Sequence, residues 1–113
     1  MTDPRWKSPF PSEVTEVRLL AAPRRAVVSI AWDTTAVDLH LMDPRPLTEL
    51  CEALDCVEVV IFSRNDEEHN YLEFGQFRVE FWDEDTRIGA VECDSFEVHD
   101  RRGAEKSVVE GNA

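Results

Sequence analysis

The sequence predicts an α+β fold: a mostly antiparallel sheet of about six strands, in the order βββαβββ, with one short helix packed on one face. Three observations lead there. Apolar residues alternate with polar ones along several short stretches, the period of a half-buried strand. One window alone carries the i, i+3, i+4, i+7 spacing of an amphipathic helix. Turn-forming segments rich in Pro, Asp and Thr punctuate the rest. A single helix covers only part of such a sheet, so the remaining face must meet water, a ligand or a second copy.

The elements follow in chain order. Pro4, Pro9 and Pro11 around Trp6 and Phe10 oppose both helix and central strand, so residues 1–12 read as an extended arm pinned by its aromatics. Residues 14–21 are rich in strand formers, Pro23-Arg24-Arg25 breaks them, and Ala26 to Trp32 forms the second strand. After Asp33-Thr34-Thr35, Val37, Leu39 and Leu41 share one face and Asp38 and His40 the other. Asp43-Pro44-Arg45-Pro46 then offers helix-starting chemistry, and Leu47, Leu50, Cys51 and Leu54 supply the helical stripe, with Glu49 and Glu52 outward.

Cys56 to Phe62 is a short, β-branched run that suits a strand deep in the sheet. Ser63 to Asn70 is uniformly polar and reads as an exposed loop, before strand-like Tyr71 to Phe74 and a bend at Gly75. Phe77, Val79 and Phe81 alternate with Arg78, Glu80 and Trp82; Asp83-Glu84-Asp85-Thr86 turns the chain, and Arg87 to Cys93 returns as a hairpin. Phe96 and Val98 extend that last strand, which leaves residues 13–100 as one domain and 101–113 as a mobile tail.

Charge bounds the partners. The chain of 113 residues holds 24 acidic against 12 basic side chains, a net charge of -12 that repels nucleic acid and anionic lipid. Residues 51–100 alone carry 15 acids and 3 bases, so the excess lies in the second half. No stretch approaches the ~20 apolar residues of a membrane span, and Met1-Thr2-Asp3-Pro4 lacks the layout of a signal peptide. The three cysteines, an odd number without a C-x-x-C pair, read as reduced thiols, and a cytoplasmic location is expected.

The motifs weigh against catalysis and cofactors. Cys51, Cys56, Cys93, His40, His69 and His99 have the right atoms for zinc, but Cys51 and Cys56 lack the spacing of a finger knuckle, so buried structural thiols are expected and no metal. Neither Asp66-Glu67-Glu68 nor Asp83-Glu84-Asp85 has the ligand pattern of a calcium loop. Asp38 and His40 are the only short-range pair suited to acid–base work, and no nucleophile elbow, phosphate loop or H-E-x-x-H accompanies them.

The polar strand positions Asp38, His40, Glu58, Arg78, Glu80, Trp82, Glu92 and Asp94 are the candidate partner-binding residues. On one sheet they would line a strongly negative surface holding an Arg and a Trp, types enriched where proteins bind proteins. The leading expectation is therefore a non-enzymatic acidic binding module, inhibitor-like, immunity-like or polyanion-mimicking, that engages a basic protein. A ligand-binding or enzymatic α+β cup built on Asp38, His40 or Tyr71 is the first alternative. A self-associating structural protein is the second, and a homodimer is compatible with each reading.

Overall fold

The computed structural model describes residues 4–21, 23–63, 76–100 and 108–110. Among them the strands are β1 (Trp6–Lys7), β2 (Glu13–Leu20), β3 (Arg25–Trp32), β4 (Thr35–Met42), β5 (Glu58–Ser63), β6 (Phe77–Asp83), β7 (Thr86–Cys93), β8 (Ser95–Asp100) and β9 (Val108–Glu110). One helix, η1 (Leu47–Asp55), separates β4 from β5. The strands form two antiparallel sheets, β1-β5-β6-β7 and β2-β3-β4-β8, with the three-residue β9 added at the β8 edge of the second.

This overturns the expectation of one sheet of about six strands in the order βββαβββ with a helix on its face. Eight strands divide between two sheets, and the short β9 makes a ninth. The inner faces cover each other: Val28, Ile30, Leu39, Leu41, Phe96 and Val98 from the second sheet share one core with Val59, Ile61, Val79, Phe81 and Val91 from the first. A sheet needs its apolar face buried, and another sheet does so where the one helix among the described residues is nine residues long.

The division has a local cause at Asp94. The predicted last strand does not run on through Phe96 and Val98. It ends at Cys93, and after Asp94 the chain re-enters as β8 beside β4 in the opposite sheet. The Asp94 amide donates to the Met42 carbonyl (2.9 Å). Arg45 and Glu92 exchange two backbone hydrogen bonds (2.9 and 2.8 Å), tying the chain after β4 to β7 and joining the sheets on that side.

The helix is the second correction, since it is 3₁₀ rather than α. With three residues per turn, Leu47, Leu50 and Ala53 share a face, in place of the predicted stripe of Leu47, Leu50, Cys51 and Leu54. Leu50 and Ala53 are buried and Leu47 packs on the core, whereas Cys51 is exposed and Leu54 is 52% exposed. The helix packs against β2 and β7, edge strands of the two sheets. Glu49, expected outward, accepts a hydrogen bond from the Ala90 amide of β7 (3.3 Å).

The proline-rich start is stitched onto β5. The Arg5 amide donates to the Ile61 carbonyl (2.7 Å) and the Ser8 amide to that of Val59 (2.9 Å), while Ser8 Oγ accepts from the Val59 amide (2.9 Å). Ser12 Oγ lies 2.9 Å from Ser8 Oγ and donates to the Val57 carbonyl (3.1 Å). Two serines thereby satisfy buried polar groups where the prolines supply no N–H. Trp6 packs against the core; Phe10 stands 58% exposed. The predicted loop from Ser63 to Asn70, the strand-like Tyr71 to Phe74 and Gly75 lie, after Ser63, outside the described residues, as does most of the predicted tail.

Candidate functional site

Register places the candidate residues on three different parts of the surface. Glu58 pairs with Trp82, Arg78 with Phe62 and with Glu92, and Glu80 with Val60 and Ala90, so Glu58, Arg78, Glu80, Trp82 and Glu92 share the outer face of the first sheet. Asp38 and His40 stand on the outer face of the second sheet, beside Ser29, Glu97 and His99. Asp94 sits at the corner between the sheets, where Arg45 Nη2 donates to its carboxylate (3.1 Å). A single strongly negative surface therefore does not form.

On the first sheet the face is organised around Glu80, whose side chain is only 6% exposed. Arg78 Nε (2.8 Å) and Arg87 Nη1 (3.3 Å) donate to Glu80 Oε2, and Trp82 Nε1 (3.0 Å) donates to Oε1. Burying a carboxylate is costly unless hydrogen bonds satisfy its oxygens, and these three do so. The Arg78 guanidinium also lies 5.8 Å from the Phe62 ring centroid. Glu58 pairs with Lys7 of β1 (3.1 Å). Cations interleave with acids across the centre of this face.

Two adjoining concavities occupy one end of it. One, of 350 Å³, is lined by Pro4, Lys7, Glu58, Val60, Phe62, Glu80 and Trp82. The other, of 470 Å³, is lined by Lys7, Phe10, Glu58, Glu84 and Asp85. They share Lys7 and Glu58, so an apolar floor with the Trp82 indole runs into an acidic rim carrying an exposed phenyl ring. A third, of 370 Å³, lies at the sheet junction between Arg45, Pro46, Arg78, Ala90, Val91 and Glu92. None of the three is lined by Asp38 or His40, and Tyr71 lies outside the described residues.

The site thus includes residues that sequence reasoning missed. Lys7 and Phe10 belong to it because the arm docks on β5, a pairing with no local signature. Arg87 reaches Glu80 through the register of a bulged hairpin. Glu84 and Asp85, which read as solvated turn residues, form the rim because β6 and β7 deliver their turn next to Phe10.

Burial raises two thiols out of the reactive range, Cys93 to about 12 and Cys56 to about 11. Among the described residues no three His, Cys, Asp or Glu side chains converge as metal ligands, and no helix is long and apolar enough to cross a membrane. Fold and site define a two-sheet antiparallel β protein with a mixed aromatic and charged outer face. The chain matches no family model, no curated protein and no solved structure.

Proposed function

We propose that the protein is a non-enzymatic, cytoplasmic binding module that captures a basic protein on the outer face of its first sheet. The observation that carries this reading is the contiguity of the Trp82 and Phe62 floor with the Phe10, Glu58, Glu84 and Asp85 rim. Aromatic and arginine side chains around a desolvated centre anchor interfaces, and carboxylates at the rim steer a cationic partner without requiring deep burial of charge. The net charge of -12 extends that attraction beyond the contact itself.

The test is a pull-down from the source lysate, washed at low and then high salt. It compares the wild-type chain, a Glu58→Gln/Glu84→Gln/Asp85→Asn variant and an Asp38→Asn/His40→Gln variant. A basic protein released by salt, lost with the first variant and kept with the second, is the expected result. Equal capture by both variants, or recovery of nothing but the chain itself, would overturn the reading.

A small-ligand role is the second reading, favoured by the cavity between Arg45, Arg78 and Glu92. Amide shifts of Ala90, Val91 and Glu92 on addition of small carboxylates or amines, without capture of any protein, would support it instead.

A further inference from the structure

The outer face of the second sheet carries a histidine pair that the binding role does not use. His40 on β4 registers with Glu97 of β8, and His99 of β8 registers with Asp38, which sets the two histidines diagonally across the strand pair. Their ring centroids are 4.5 Å apart at an interplanar angle of 55°. Both side chains are half-buried.

The charges around the pair are unevenly supplied. From β8, Glu97 Oε1 lies 2.8 Å from His99 Nε2. On β4, Asp38 accepts from Ser29 Oγ (2.8 Å) and lies 4.0 Å from the Arg18 guanidinium of β2. From β3, Arg25 adds a further positive charge beside His40. On the far side of β8, register sets Val108 opposite His99 and Glu110 opposite Glu97. A proton on His40 places an imidazolium against the His99 ring with Arg25 close by, in a site partly shielded from water.

We propose that His40 and His99 form a pH-sensitive latch between β4 and β8: at neutral pH the packed pair holds the strands together, and acidification that charges the His40 ring loosens β8 from the second sheet. Burial first, then His99 and Arg25, hold the His40 ring below its ordinary value of 6.5, against the opposing pull of Asp38 and Glu97. A ring whose folded pKa lies below its unfolded one takes up its proton more readily in the unfolded chain. Stability is therefore complete above about pH 6.5 and falls as the pH drops from there to the folded pKa, by about tenfold in the folding equilibrium per unit of depression. The strand at risk matters, since β8 contributes Phe96 and Val98 to the core and holds β9.

The experiment is an NMR titration of the imidazole protons in the full chain from about pH 8 to about pH 5, with amide-exchange protection of β8 followed alongside. The expected result is that the His40 ring titrates at higher pH in His99→Gln than in the wild type. Protection of the Phe96 and Val98 amides, corrected for intrinsic exchange, should fall over the same window in the wild type and much less in His40→Gln. A His40 curve unchanged by removal of the His99 ring would overturn the latch. So would an acid-dependent loss of protection as large in His40→Gln as in the wild type.

Discussion

Glu84 holds a φ of 59° in the β6–β7 turn, a left-handed conformation that costs a residue with a Cβ about 1 to 2 kcal/mol. Asparagine tolerates it better, so Glu84→Asn is expected to raise stability by about 0.5 kcal/mol in denaturant unfolding, while weakening capture of a basic partner. Glu80 is the opposite case, an outward strand position that is nonetheless buried. Glu80→Ala removes the acceptor that Arg78 Nε, Trp82 Nε1 and Arg87 Nη1 share and should cost about 2 kcal/mol, whereas Arg87→Ala, which takes only a half-exposed guanidinium from that carboxylate, should cost under about 1 kcal/mol. The thiols divide similarly. Alkylation at mildly basic pH should label Cys51 alone in the folded chain, with Cys56 and Cys93 reacting only on unfolding, as mass spectrometry of digested protein would read. The turn at 83–86 was legible from its composition. The burial of Glu80 was not, because the side chains around it come from two strands and meet only after pairing.

At the scale of elements, the alternation in β4 and β6 was a reliable guide: Val37, Leu39, Leu41, Phe77, Val79 and Phe81 are all buried. The helix was legible as a location and misread as a geometry, since its apolar residues fit either a 3.6 or a 3.0 period over nine residues, and packing against β2 and β7 selects the second. The two geometries differ in what they bury. Leu50→Ala should cost about 2 to 5 kcal/mol and Leu54→Ala less than about 0.5 kcal/mol, where an α-helical stripe would make both costly. Gly89 reports the closeness of that packing from the strand side. A Cβ there would lie 2.8 Å from Glu52 Cβ, so Gly89→Ala should push η1 off β7 and cost about 1 to 3 kcal/mol, with the shift visible in the Glu49 and Ala90 amide resonances.

For the whole molecule the decisive feature is the pairing of two sheets across one core, where the Phe77 ring of the first meets the Phe96 ring of the second edge-on at 5.2 Å. Phe96→Ala is expected to cost about 3 to 5 kcal/mol, a large part of the total stability of a domain this size, and to flatten the unfolding transition by detaching β8. The sequence by itself determined the acidity, the placement of most strands, the core faces of β4 and β6 and the acidic hairpin turn. Each of these depends on neighbours within a few residues or on composition alone. Only the tertiary structure decided that the strands split between two sheets at Asp94, that the arm docks on β5, that Asp38 and His40 stand apart from Glu58, Arg78, Glu80, Trp82 and Glu92, and that His40 meets His99. Those outcomes follow from which strands pair, and strand pairing is settled by burying apolar faces between segments distant in the chain, for which period and turn chemistry carry no address.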